Sequence, residues 1–101
     1  MEAERISIIK LDGTNAGMVQ IFDEGDSVEV AEIQILPEFQ SRGIGTEVLT
    51  DIVKRAHANR KPVTLSTGLK NARAIKLYLR LGFEFVEQTE AKIYFELQPS
   101  D

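Results

Sequence analysis

The sequence predicts an α+β fold, a mixed and mostly antiparallel β-sheet with a β-α-β-α core, in the order β-β-β-α-β-α-β-β. Two patterns carry this prediction. Three apolar runs joined by short polar turns come first, as in an antiparallel meander. Two helical patterns then alternate with a short β-branched run, and two further apolar runs follow. With 101 residues, we expect a single domain over residues 1–101.

Composition excludes several classes of function. The chain has no cysteine and one histidine, His57, so we expect no metal site and no thiol nucleophile. The net charge of −4 argues against nucleic acid as a partner. No apolar run approaches the roughly 18 residues of a membrane span, and the polar, acidic N-terminus is unlike a signal peptide. A cytoplasmic protein that does not enter the membrane is therefore expected.

Three strands are predicted in the first third of the chain: Arg5–Leu11, Gly17–Phe22 and Val28–Leu36. The third strand changes the parity of its apolar face. Val28 and Val30 alternate on one side, whereas Ala31, Ile33 and Ile35 continue on the other. One extra residue after Val30 has this effect, so we predict a β-bulge there. A strand buried on both faces is the alternative.

A turn with two glycines, Gln40–Thr46, joins the third strand to a helical pattern. Gly43 and Gly45 allow the backbone to turn tightly and a ligand to approach it closely. The first turn of a helix has N–H groups without intrahelical partners and carries a partial positive charge. The turn therefore favours an anion held by main-chain donors. It has neither the lysine of a nucleotide-hydrolase loop nor the third glycine of a dinucleotide fingerprint. A tight turn without a ligand is the alternative.

The second half of the chain adds two helices and three strands. Apolar residues from Ile44 to Ala56 recur at helical spacing, and Asn59–Pro62 ends this helix, with His57 on its exposed face. A short strand follows and should run parallel to the third strand, by the right-handed crossover rule. Asn71 is predicted to cap the second helix, which stops at Gly82. The remaining predicted elements are the short strand Val63–Thr67, the helix Ala72–Leu81, and the closing strands Phe83–Glu87 and Lys92–Leu97.

Two stretches resemble the signatures of the GNAT superfamily of acyl-CoA-dependent N-acetyltransferases. The resemblance covers Arg5–Leu97, and the two stretches occur in the family's order with a strand between them. The first is similar to the family's pyrophosphate motif, and the second to its other signature. They read Ile33-x-Ile35-x-Pro37-Glu38-Phe39-Gln40-Ser41-Arg42-Gly43-Ile44-Gly45 and Asn71-x-x-Ala74-x-x-Leu77-Tyr78-x-x-Leu81-Gly82-Phe83.

The resemblance implies an acetyl-CoA-dependent N-acetyltransferase, in which a primary amine attacks the thioester directly and acetyl-CoA is the co-substrate. It implies that backbone groups of Ile33 and Ile35 pair with the pantetheine arm, and that Asn71 bonds near that arm. It implies that Tyr78 protonates the leaving thiolate, whereas the residue pattern alone fits a core tyrosine with its hydroxyl at the edge. The residues implied to hold the pyrophosphate through their backbone are Ser41, Arg42, Gly43, Ile44, Gly45 and Thr46. Three flanking cations could meet the remaining phosphates: Arg42, Arg73 and Lys76.

The chain departs from the family pattern at two places. Many members place a strand and two helices before the meander, whereas here only Met1–Glu4 precedes the first strand. An open acceptor side is therefore expected, which fits a peptide or protein amine better than an enclosed small molecule, or which a second copy of the chain covers in a homodimer. The acceptor amine itself is expected to belong to a small molecule, a peptide or a protein. The general base is the second departure. Glu29 occupies the position used by histone-type members. The alternatives are that a chain of water molecules accepts the proton and that Glu29 is an ordinary solvent-facing residue of the strand. A CoA-binding or regulatory module without catalysis, and an interaction domain without a ligand, are rival interpretations.

Overall fold

The computed structural model describes residues 3–99, which form a six-stranded sheet and two α-helices. In chain order, the elements are β1 (Ala3–Leu11), β2 (Thr14–Asp23), β3 (Val28–Ile35), a 3-10 turn (Pro37–Phe39), α1 (Ile44–Ala58), β4 (Val63–Gly68), α2 (Ala72–Arg80), β5 (Glu84–Gln88) and β6 (Lys92–Leu97). The strand order in the sheet is β1-β2-β3-β4-β6-β5, and β3 and β4 are parallel while the other neighbours are antiparallel. The predicted mixed, mostly antiparallel α+β fold is thus confirmed.

The first hairpin is tighter than its sequence pattern indicates. Asp12 and Gly13 both have positive φ, at 51° and 81°, which is the requirement of a two-residue turn that matches the twist of the strands. Strand β2 therefore begins already at Thr14 and continues to Asp23, instead of running from Gly17 to Phe22. The predicted start of this strand at Gly17 is wrong, because a turn of only two residues leaves residues 14–16 to the strand.

The predicted β-bulge lies in β3 where the parity of the apolar residues changes. Gln20 is opposite Glu32 and Ile21 is opposite Val30, so Ala31 is the extra residue. Glu32 and Gln34, which follow it, are exposed. The alternative of a strand buried on both faces is therefore wrong.

Strands β3 and β4 separate at the bulge. They pair in parallel at three positions only, Val28 to Val30 against Val63 to Leu65. Beyond Val30, β3 stays with β2 through Ile35, while β4 stays with β6 through Gly68. The sheet therefore opens between the end of β3 and the end of β4, as a bulge that interrupts the ladder would allow.

Both helices pack on the same face of the sheet. Val30, Leu65 and Phe95 lie in one register row and are all buried. Residues of α1 and α2 join them in one core cluster, and the fully buried Leu49 is among them. Because neighbouring residues of a strand point to opposite faces, the residues between these core positions lie on the other face.

That second face carries a row of acidic residues. Register places Glu29 beside Phe22 on one side and Thr64 on the other, and Glu96 and Glu84 continue the row. Glu4 ends the row at β1, where Gln20 donates a hydrogen bond to it. No helix of residues 3–99 covers this face, which we call the helix-free face. The side chains of the acidic row are half-buried or exposed.

His57 is less exposed than its position on the polar side of α1 predicts. The ring is half-buried, and its Nε2 lies 3.2 Å from the carbonyl oxygen of Leu97. The expectation of an exposed histidine is wrong, because the end of β6 lies beside this part of α1. Neither helix in the described part of the chain is long and apolar enough to cross a membrane.

Candidate functional site

A groove of about 670 Å³ lies on the helix-bearing face, where the end of β3, the first turn of α1 and the inner side of α2 meet. Nine of the eleven residues predicted to form a site line it. Glu29 and Arg42 do not. The nine are Ile33, Ile35, Ser41, Gly43, Ile44, Gly45, Thr46, Asn71 and Tyr78.

The first turn of α1 presents free backbone donors to the groove. The helix begins at Ile44, and its first intrahelical bond is donated by Glu47 to the carbonyl of Gly43, at 3.0 Å. The N–H groups of Ile44, Gly45 and Thr46 precede that bond and have no partner within the helix. They point along the helix axis at its positive end, so they can bind an anion.

The two glycines of this turn, Gly43 and Gly45, differ in whether the backbone conformation accounts for the glycine. Gly43 is the N-cap of α1 and has a φ of 79°, a conformation that favours glycine. Gly45 has no positive φ, and a Cβ built on it meets no atom within 4 Å. The chain's own packing therefore does not require glycine at position 45. Gly45 lines the groove, so a side chain there would extend into open space and would hinder a ligand that approaches the backbone.

The edge of β3 that faces the gap carries backbone groups without a strand partner. The N–H of Leu36 donates to the carbonyl of Ala16, at 2.7 Å, on the β2 side. Because backbone groups alternate in direction along a strand, those of Ile33 and Ile35 point away from β2, toward the gap. The carbonyl of Ile35 accepts a bond from Gln40 Nε2, at 2.9 Å. The rest of this edge can pair with an extended ligand.

Helix α2 supplies the opposite wall of the groove. Asn71 is its N-cap as predicted, and the side-chain oxygen accepts from the N–H of Ala74, at 3.2 Å. The side-chain nitrogen of Asn71 carries two further N–H donors, which this capping bond does not use. The helix ends at Arg80, one residue before the predicted end, and Gly82 follows with a φ of 99°.

Tyr78 lies two turns after Asn71 and packs against two buried aromatic rings. It is 6% exposed, with its ring edge-on to Phe95 at 5.7 Å and tilted against Phe83 at 6.1 Å, both between centroids. No fully buried side-chain oxygen of residues 3–99 lacks a partner, which is consistent with a hydroxyl that opens onto the groove. Burial raises the pKa of Tyr78 above its usual value of 10, so the phenol is protonated at neutral pH.

The charged residues of the groove have one sign. None of the described residues that line it is acidic, although the chain as a whole has a net charge of −4. Arg73 donates from Nη2 to Ser41 Oγ, at 3.1 Å, an interaction that the sequence did not predict. Arg42 instead places its guanidinium 5.4 Å from the centre of the Phe39 ring. The cations that line the groove are Arg73, Lys76 and Arg80.

Glu29 is not brought together with Tyr78. It lies between the buried Val28 and Val30, so its side chain is on the helix-free face, and it is half-buried there. The nearest route from this side chain to the groove is the gap between β3 and β4, which begins at the next residues of the strand.

Comparison with known proteins gives a family. A family model described as the acetyltransferase (GNAT) family matches residues 1–83. An uncharacterized N-acetyltransferase of Methanocaldococcus jannaschii is 38% identical over 63 residues. That match covers 61% of this chain but 28% of the relative, so the chain spans less than a third of that relative's length.

Solved structures share the fold at low sequence identity. The ribosomal-protein-S18-alanine N-acetyltransferase of Escherichia coli superposes with a TM-score of 0.86 at 21% identity, over 97% of this chain and 70% of that one. A GNAT family acetyltransferase of Elizabethkingia anophelis with acetyl-CoA bound gives a TM-score of 0.83 at 16% identity, over 94% and 76%. These likenesses establish the same architecture for the described sheet and helices.

Proposed function

Because this chain belongs to the acetyltransferase (GNAT) family, we propose that it binds acetyl-CoA in the groove and transfers the acetyl group to a primary amine. The observation that carries the proposal is the convergence of three features in one groove. The first turn of α1 has free N–H groups and includes Gly45, a glycine that the packing of the chain does not require. The end of β3 has an edge without a strand partner, and the buried phenol of Tyr78 lies on the other side of the groove.

Each feature fits one part of the co-substrate. The N–H groups of residues 44–46 suit the diphosphate, which carries charge that the positive end of α1 stabilises. The edge at Ile33 and Ile35 suits the amides of the pantetheine arm, which would add to β3 like a further strand. Asn71 can donate to a carbonyl of the same arm through its side-chain nitrogen. The uniformly cationic lining supports an anionic ligand in a chain whose net charge is negative.

The reaction is a direct transfer. The amine nitrogen forms a bond to the thioester carbon, the carbon–sulfur bond breaks, and the amine loses one proton while the sulfur gains one. Backbone donors near the end of β3 can stabilise the negative charge that develops on the carbonyl oxygen. Burial raises the pKa of Tyr78 above its usual value of about 10 and so keeps the phenol protonated at neutral pH, which leaves its proton available to the thiolate as the carbon–sulfur bond breaks.

The proton of the attacking amine needs an acceptor, because an alkyl amine is charged at neutral pH. Glu29 would act from the helix-free face through the gap between β3 and β4, directly or through a water molecule. The acidic row that includes Glu29 and Glu96 supports a positively charged acceptor on that face, since such a field attracts cations. A small amine, or a peptide or protein amine, fits this proposal, and a homodimer could border the same opening.

Gly45→Val tests the groove. The substitution should leave the fold intact, because a Cβ at this position meets no atom of the chain. It should weaken acetyl-CoA binding in a calorimetric titration by about a hundredfold or more, because the side chain occupies the space through which a ligand reaches the backbone. Gly68→Val is the matched control, since a Cβ there also meets no atom and Gly68 is not among the residues that line the groove.

Two outcomes would contradict the proposal at different levels. Equal affinity in Gly45→Val and in the unsubstituted chain would show that the ligand lies elsewhere. No binding of acetyl-CoA by the unsubstituted, folded chain would reject the co-substrate itself. Binding without release of thiol across a panel of amines and peptides would instead favour a CoA-binding module without catalysis.

A further inference from the structure

The loop between the 3-10 turn and α1, residues 40–43, has an unfavourable backbone conformation although its residues are exposed. Ser41 has a φ of 63°, and Gly43 follows with a φ of 79°. The left-handed region is natural for Gly43, but it is disfavoured for a serine because of its Cβ. Residues 40–43 are all exposed, so packing does not impose this conformation. Polar contacts of the loop must therefore maintain it.

Two side-chain hydrogen bonds reach this loop. Gln40 Nε2 donates to the carbonyl of Ile35, which ties the loop to the strand that precedes it. Arg73 Nη2 donates to Ser41 Oγ at 3.1 Å, and Arg73 belongs to α2, on the opposite wall of the groove. The second bond therefore fixes the residue with the disfavoured φ, and it does so from a separate element.

The position of Arg73 in α2 is itself unfavourable. It is the second residue of the helix, and the first turn of α2 contains no acidic residue. A cation at this end meets the positive pole of the helix dipole. The two salt bridges found among residues 3–99 are Arg55–Asp51 and Lys61–Asp23, so neither offsets this cost at Arg73. The bond to Ser41 is the interaction in the structure that accounts for the direction of the guanidinium.

We propose that Arg73 is a positioning residue that acts through Ser41: its guanidinium holds Ser41 in the left-handed conformation, and so orients the free N–H groups at the start of α1 toward a diphosphate. The inference rests on the proposed binding of acetyl-CoA. It assigns to the side chain of Ser41 the role of an acceptor for Arg73, in addition to the main-chain contact with the ligand that the family resemblance implies. Arg73 would raise affinity by organising the site before the ligand arrives.

A double-mutant cycle separates this role from direct contact with phosphate. Arg73→Met and Ser41→Ala each remove one partner of the same bond. Each should weaken acetyl-CoA binding about five- to tenfold, the effect expected of one exposed charge-assisted hydrogen bond. The double variant should be no weaker than either single one, because the bond can be lost only once. Arg73→Lys should recover part of the affinity, since its ammonium can still donate to Ser41 Oγ.

Two further measurements make the test specific to the diphosphate loop. S-acetylpantetheine has no diphosphate, so kcat/KM with this probe should differ less than about twofold between Arg73→Met and the unsubstituted chain. Ser41→Gly should make the loop tolerant of the Arg73→Met change, because glycine adopts positive φ without a partner. Lys70→Met is the control for loss of one positive charge. Lys70 is exposed near the start of α2 and is not among the residues that line the groove.

The outcomes are distinct. Additive losses in the cycle would mean that Arg73 contacts the phosphate itself, and would overturn the positioning role. Unchanged affinity in Arg73→Met would show that the bond to Ser41 has no part in binding. Equal losses with acetyl-CoA and with S-acetylpantetheine would indicate a general change of fold. Failure of the unsubstituted chain to bind acetyl-CoA would reject the proposed function instead, which the titration of that chain reveals before any variant is compared.

Discussion

Replacement of Tyr78 by phenylalanine is the sharpest test of the proposed chemistry, because it removes a proton donor and little else. The ring keeps its contacts with Phe83 and Phe95, at 6.1 and 5.7 Å between centroids. We therefore expect the free energy of unfolding to change by less than about 0.5 kcal/mol at neutral pH. Loss of a general acid should lower kcat about a hundredfold or more, with little change in the affinity for acetyl-CoA.

The pH dependence gives the same prediction a second check. The pKa of Tyr78 is raised by burial, so the folded state favours the neutral phenol more than the unfolded state does. The resulting stability is fully present below the unfolded pKa of about 10 and is lost as the pH rises through the higher folded pKa. Tyr78→Phe should remove this alkaline loss of stability. At neutral pH the phenol is fully protonated, so its own titration should not shape the rate profile below pH 10.

The chain offers a convenient assay and a matched control. It contains no cysteine, so a thiol reagent detects the released CoA without interference from the protein. Tyr94 is the second of the two tyrosines. It is in register with Ser66 on the helix-free face, next to the buried Phe95. Tyr94→Phe removes the other phenol and does not alter a residue that lines the groove, so kcat should stay within about twofold. The KM for the amine is free to change, because Tyr94 lies on the face proposed for the acceptor. A kcat of Tyr78→Phe that is as high would refute the role of Tyr78 as proton donor.

Two further substitutions test the base and the frame of the site. Glu29→Gln should lower kcat about a hundredfold if this carboxylate accepts the amine proton, and a loss below about threefold would point to water. Glu32→Gln, on the same strand and exposed, is its charge-matched control in steady-state kinetics. Gly17→Ala should destabilise the chain by about 2 kcal/mol or more in chemical denaturation, because its Cβ would lie 2.0 Å from the carbonyl oxygen of Gln34. Gly68→Ala meets no atom, and an equal loss in that variant would contradict the steric argument.

Local patterns in the sequence were sufficient for the fold and for most of the groove. The parity change after Val30 predicted the bulge, because one extra residue moves the apolar positions of a strand to the other face. The register of β2 against β3 then decided against the alternative of a strand buried on both faces. The capping role of Asn71 follows from the unpaired N–H groups in the first turn of a helix, which its side chain can accept from. The end of the helix at Gly82 follows from the positive φ that a residue after a helix often adopts and that glycine favours. These features depend on neighbouring residues, so one sequence contains them.

Contacts between distant residues were the part that a single sequence could not supply. The bond from Arg73 to Ser41 joins positions 32 residues apart, and no local rule predicts it. His57 was expected to be exposed, because the periodicity of α1 does not show that Leu97 lies beside it. The register of three strands was needed to place Glu29 on the face of the sheet that lies away from the groove. Its catalytic role stays a prediction.

The short parallel ladder between β3 and β4 joins two antiparallel halves of the sheet. Strands β1, β2 and β3 form one antiparallel triplet, and β4, β6 and β5 form the other. Three residue pairs, the crossing helix α1 and the shared core connect the two triplets. A ligand that pairs with β3 while it contacts α2 would add a further connection between the two triplets, next to the short ladder. Hydrogen exchange of the amides in the β3–β4 ladder would therefore report the free energy of local opening between the two triplets. This measurement is independent of the long ladders within each triplet.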